Sequence, residues 1–158
     1  MASEVERLLY HEAHLLDSGL FREWLELLAP ELRYWAPARA DVSSAQERED
    51  ERRRLALFDE TKASLALRIS RLETGLAWAE SPTTRTRRFI SNVFDEDERG
   101  GVVRVRSNFM LFKNRSFADE TIMVGCREDR WARAGGWLLR ERKILIDHCT
   151  VENMSLLL

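Results

Sequence analysis

RLETGLAWAESPTTRTRRFISNV, residues 71–93, decides the fold class, because the chain changes its periodicity within it. On its N-terminal side Leu65, Ile69, Leu72 and Leu76 recur at helical spacing and share one face. From Thr84 onward the pattern becomes that of strands. The break between them is carried by Gly75 and Pro82: glycine reaches backbone angles closed to other residues, and proline cannot donate to a helix ladder. Arg85, Arg87 and Arg88 crowd the start of the strand, with Trp78 in the break before them and Asn92 beyond. A stretch rich in arginine and indole, with no Cys, His or phosphate-cradling glycine loop, suits holding a partner better than performing chemistry.

Upstream, residues 5–17 form an amphipathic helix. Leu8, Leu9, Leu15 and Leu16 fall on the side of Val5, while His11, His14 and Asp17 lie opposite. Ser18-Gly19 ends it. A second helix carries Phe21, Leu25 and Leu28 and is stopped by Pro30, so helices are expected over about 4–30. Residues 32–37 are aromatic and apolar and read as a strand; residues 38–57 read as a solvated loop. Asp59 is placed to cap a third helix over about 59–76.

Downstream, residues 85–94, 102–113, 121–133 and 137–149 are candidate strands. DEDERGG, NRSFADE and RAGG separate them, polar or glycine-bearing as hairpin connections should be. Helices first and a meander of long strands afterwards predict an α+β domain over residues 1–158, in which a strongly bent, mainly antiparallel sheet takes helices into its concave face.

Composition narrows the function. The 158 residues are 44% hydrophobic and 33% charged with a net charge of −2, which describes a soluble domain with no electrostatic footprint for nucleic acid. No apolar run approaches the roughly 20 residues of a membrane span, and the acidic start MASEVERLLY lacks the features of a signal peptide, so the expected location is cytoplasmic. Cys126 and Cys149 lie far apart with no CxxC spacing and are expected to be reduced. Arginine outnumbers lysine 22 to 3, a bias that fits interfacial ion pairs and equally a GC-rich genome.

Two constellations could carry chemistry. His11, His14 and Asp17 share a helix face, but two His three apart do not make the zinc-protease signature, and a polar outer face explains them as well. Glu12 falls inside the apolar arc of the first helix. There it is either a proton-transfer base with a raised pKa, paired with His148 near the C-terminus, or a buried carboxylate neutralised by an arginine from the strands. The second is the ordinary fate of such a position. Of the five tryptophans, Trp24 and Trp137 are expected in the core and Trp78 at an interface; the apolar tail MSLLL, residues 154–158, is expected to dock.

The same residues carry a resemblance. LLYHEAHLLDSGLFREWLELLAPELRYWAP (8–37), RLETG…WAE…RTRR…SNV (71–93), VRVRSNFMLFKNR (103–115) and GWLLRERKILIDHC (136–149) occur in the order seen in the β (small) subunits of aromatic-ring-hydroxylating dioxygenases. The chain resembles that family over nearly its whole length, least over 38–57. The resemblance implies a cystatin-like cone, shared with ketosteroid isomerase and scytalone dehydratase, used chiefly as scaffold. It implies a terminal oxygenase of three α and three β subunits. A Rieske [2Fe–2S] cluster and a mononuclear iron in α would use NADH-derived electrons and O₂ to make cis-dihydrodiols from arenes. The motif forms lean towards unsubstituted or alkyl-substituted arenes and biphenyls.

No catalytic, cofactor or metal residue is expected in this chain. Trp78, Arg85, Arg87, Arg88 and Asn92 are its candidate subunit contacts. The competing expectations are a stand-alone isomerase or dehydratase using Glu12 and His148, and a non-catalytic ligand-binding domain.

Overall fold

The computed structural model describes residues 1–37, 56–74, 84–116 and 119–147. The expectations attached to Trp78, His148, Cys149, the loop of residues 38–54 and the tail of residues 154–158 lie outside them.

Helix α1 (Glu4–Asp17) opens on a capping box, with the Ser3 hydroxyl accepting from the Glu6 N–H and the Glu6 carboxylate accepting from the Ser3 N–H. Its buried face is Val5, Leu8, Leu9, Glu12, Ala13, Leu15 and Leu16, the arc the spacing predicts, carboxylate included. Helix α2 (Phe21–Glu26) is shorter than expected. Leu28 does not continue it but opens strand β1 (Leu28–Pro37), because a chain heading for Pro30 finds sheet partners instead of a further helical turn. Strand β2 (Ala56–Glu60) occupies the end of the expected loop and the expected helix start. Asp59 is therefore not a cap: it lies on β2 and takes the Arg33 guanidinium at 2.9 Å. Thr61 caps helix α3 (Lys62–Glu73) instead, in a reciprocal box with Ser64. Lys62 ties the start of α3 to β1 through the Leu28 carbonyl at 2.7 Å.

Strands β3 (Arg85–Asp97), β4 (Val102–Ser116), β5 (Asp119–Arg133) and β6 (Trp137–Ile146) follow as antiparallel neighbours. The sheet order is β2-β1-β6-β5-β4-β3, with β1 parallel to β6, so β3 and β2 are the edges of one six-stranded mixed sheet. The helices lie on one face. α1 packs over β3 and α3 over β1, and between them the core collects Leu9, Trp24, Leu65, Ile69, Val105, Trp131 and Ile144. Trp24 is in the core as expected, whereas Trp137 is half-buried at its margin with its indole N–H donating to Glu4.

Curvature has local causes. In β3 the register against β4 shifts between Ser91 and Phe94, and Asn92 takes a positive φ of 51° there, as a bulge requires and asparagine tolerates. At Gly125 the backbone of β6 comes so close that a Cβ would stand 2.2 Å from the Leu145 carbonyl oxygen and 3.1 Å from the Ile146 Cα. Neither atom can rotate away. We expect Gly125→Ala to destabilise the chain by about 1–3 kcal/mol in chemical unfolding. Gly136→Ala, with open space around it, should leave the midpoint unchanged.

Candidate functional site

The interior of the cone holds a polar cluster where the hydrophobic pattern would place more core. Four strands bring Tyr34, Arg142, Asp129 and Val105 into one inward-facing row across the sheet, and Ser107, Arg127 and Ile144 into the next. α1 lowers Glu12 onto both rows. Glu12, Arg127, Asp129 and Arg142 are each no more than 2% exposed.

Arg142 is the hub. Its Nη1 and Nη2 donate to the two oxygens of Glu12 at 2.7 and 2.8 Å, while Nε and Nη2 donate to the two oxygens of Asp129 at 2.8 and 2.7 Å. Only a guanidinium fork can serve two carboxylates in this way. Trp24 adds its indole N–H to Glu12 at 3.1 Å, and Trp131 adds its own to Asp129 at 3.3 Å. Arg127 stands 3.6 Å from Glu12. Arg142 also lies over the Tyr34 ring, 5.6 Å from its centroid. Two cations and two anions close the charge balance inside the cone.

Burial alone would raise the Glu12 carboxyl. The Arg142 and Arg127 charges, with the hydrogen bonds from Arg142 and Trp24, outweigh it and hold the pKa at about 2. The Arg142 guanidinium loses to burial but gains more from Asp129 and Glu12, so its pKa stands well above the usual value. Burial and then repulsion from Arg142 pull Arg127 below it. Of the two fates open to Glu12, the structure shows the neutralised carboxylate. A base poised for proton abstraction works near the ambient pH, and this one has both oxygens already occupied.

The second candidate region is the β3 edge. Asp17, on the helix face shared with His11 and His14, turns its carboxylate to β3, where it accepts from the Arg88 backbone N–H at 2.8 Å, from Thr86 Oγ1 at 3.0 Å and from the Arg88 guanidinium. Arg88 thus has an intramolecular partner and a nearly buried side chain, 5% exposed. Arg85 and Arg87 are exposed on the other face of the strand. A groove of about 370 Å³ runs between α1 and β3, bordered by Tyr10, His14, Asp17 and Arg88. Asn92 marks the bulge, so its local duty is conformational.

Arg142, Arg127 and Asp129 are members of the interior network that the sequence left unnamed, although an arginine from the strands was the expected partner of Glu12.

A family model described as the ring hydroxylating beta subunit matches residues 11–153. Among solved structures, a chain of naphthalene 1,2-dioxygenase is 27% identical, with 96% of this chain and 82% of that one covered at a TM-score of 0.86. The β subunit of benzoate 1,2-dioxygenase from Burkholderia mallei is 20% identical, covering 98% and 99% at 0.76. A candidate scytalone dehydratase from Novosphingobium aromaticivorans, 15% identical and covering 91% and 82% at 0.67, shares the cone fold.

Proposed function

The chain belongs to the ring hydroxylating beta subunit family, and from that premise we propose that its work within a dioxygenase is assembly, as the small subunit on which a catalytic α subunit is built. Three α and three β subunits form the terminal oxygenase. The Rieske cluster, the mononuclear iron and the NADH- and O₂-dependent cis-dihydroxylation of arenes belong to α. The enzyme acts in the cytoplasm, and its substrate class is an aromatic hydrocarbon.

The observation that carries this reading is the Glu12–Arg142–Asp129 network. It fills the level of the cone where a stand-alone isomerase would keep a free carboxylate, which disfavours that alternative.

The iron groups do not fit this chain. A Rieske centre takes two Cys and two His, and the iron site two more His with a carboxylate, whereas the sequence holds two Cys and three His. The sheet also stands between Cys126, on the face opposite Arg127 and Asp129, and His11 and His14 on the outer side of α1. Among the described residues no cluster of His, Cys, Asp and Glu could hold a metal ion.

Co-expression with an α subunit bearing CxH and CxxH pairs tests the proposal. We expect one complex by native mass spectrometry, with arene-dependent oxygen uptake in the complex and none in this chain alone. Oxygen uptake by the unaccompanied chain, or an isomerase activity lost on Glu12→Gln, would overturn it. The subunit contacts are expected among Arg85, Arg87, Arg88, Asn92 and Trp78. Since Asp17 engages Arg88, the exposed Arg85 and Arg87 are the pair to reverse.

A further inference from the structure

The two edges of the sheet are unequal. β2 is five residues long, whereas β3 runs for 13, Arg85–Asp97, and its ladder partner is β4 alone. In a long edge strand every second residue turns its N–H and C=O outward, which makes a template for a strand from another chain. Folds that keep such an edge protect it with charges, with a bulge or with a covering element. Charges stand at both ends of β3, in exposed Arg85 and Arg87 and in exposed Asp95 and Glu96. The bulge at Asn92 interrupts its second half.

The first half is covered by one side chain, Asp17. Its Oδ2 accepts the Arg88 backbone N–H at 2.8 Å, so the Arg88 amide points away from β4. Its Oδ1 accepts from Thr86 Oγ1 at 3.0 Å and from the Arg88 guanidinium, which also donates to Thr86 Oγ1 at 3.2 Å. The Asp17 and Arg88 side chains are only 11% and 5% exposed, so water competes little for these contacts. Asp17 is also the last residue of α1, the end at which the helix dipole disfavours a carboxylate. Its placement there serves the strand and not the helix.

We infer that Asp17 is a latch on the β3 edge. Its carboxylate holds the place that the carbonyl of an added strand would take, and it closes the first half of β3 to pairing by another chain. Strand addition would require Arg88 to give up Asp17, and with it Thr86 and a nearly buried ion pair. Partners of this sheet therefore meet side chains and do not continue its hydrogen-bond ladder. The inference goes beyond the assembly reading and does not depend on it, because it concerns how the edge is closed and not which subunit lies nearby.

The test follows the full chain at pH 7 by amide hydrogen exchange, sedimentation velocity and thioflavin T binding. In the wild type the Arg88 amide should exchange slowly although it faces away from β4. Asp17→Ala should speed that exchange by about tenfold or more, through loss of a charge-assisted hydrogen bond, and should yield large, open-ended species that bind thioflavin T. Arg88→Met removes the ion pair but keeps the backbone N–H on Asp17, so the amide at position 88 should stay slow and the sedimentation profile unchanged. Asp17→Ala/Arg88→Pro should return the wild-type profile, because proline removes the exposed donor and an edge strand tolerates it where the N–H faces out. A mere loss of stability predicts the reverse. Large species from Arg88→Met as readily as from Asp17→Ala, or more of them once proline is added, would overturn the proposal. So would an Asp17→Ala chain whose exchange and sedimentation match the wild type. If Asp17→Ala lacks the wild-type circular dichroism, Arg88→Met decides alone: a slow amide at position 88 supports the latch, and a fast one sinks it.

Discussion

Arg142→Met should destabilise the isolated chain by about 3–5 kcal/mol, enough to leave a small domain marginal. The size follows from what is stranded, not from what is lost. Removing the guanidinium leaves Asp129, 1% exposed, with only the Trp131 indole N–H, and leaves Glu12 with Trp24 and a cation 3.6 Å away. A buried carboxylate without a counter-charge is among the costliest defects a core can carry. Urea unfolding at pH 7 reads the loss. Arg140→Met is the control, because Arg140 meets Glu31 at 3.0 Å on the surface, where both side chains are about half exposed and such pairs are worth roughly 0–1 kcal/mol. Arg142→Lys keeps the charge but not the fork, so it should fall between the two. Equal losses for Arg140→Met and Arg142→Met would mean that the network does not hold the cone.

The network also marks where a sequence becomes hard to read. Glu12 is legible because a helix repeats every 3.6 residues, and a carboxylate inside the arc of Leu8, Leu9 and Leu16 stands out against it. Its partners are hidden by the strands. CREDRWAR in β5 looks like a solvated strand until Arg127, Asp129 and Trp131 are seen to share one face, and alternation cannot say which face that is. In β6 the alternation itself breaks. The register against β5 shifts between Arg130 and Trp131, so buried Leu139 and buried Arg142, three apart, both point inward.

The α-to-β switch, helix α1 and the four long strands were readable because their patterns run for ten residues or more. Strand β2 and the true cap of α3 were not. Five residues beside charged chain give too short a pattern, and Asp59 and Thr61 are both good caps until Arg33 claims Asp59. The arginines of β3 were visible at once as candidates for contact. That Arg88 turns inward to Asp17 while Arg85 and Arg87 turn outward needed the sheet.

Acid should loosen this fold through Glu12. Its pKa is held at about 2, below the ordinary 4.5, so the folded state binds this proton less readily than the unfolded chain does. A depressed carboxyl contributes stability that is fully present above the unfolded pKa and is lost as pH falls from about 4.5 through about 2. The gap between those values corresponds to about 3 kcal/mol for a fully buried group. Glu12→Gln removes the titration and leaves Arg127 without its nearby counter-charge, so the variant should be less stable at pH 7. Its stability should then fall less steeply over the acid window, until the two curves converge near pH 2. Other carboxylates, such as exposed Glu73 beside Arg22, titrate in both chains and cancel in the difference. Convergence is the diagnostic, because no loss of packing depends on pH in this way. Curves that stay parallel from pH 7 to pH 2 would mean that the arginines do not hold Glu12 ionised, and the carboxylate would again be a candidate base. Convergence would establish a group too weakly basic to abstract a proton near neutral pH, so that the Glu12–Arg142–Asp129 network serves to hold the fold.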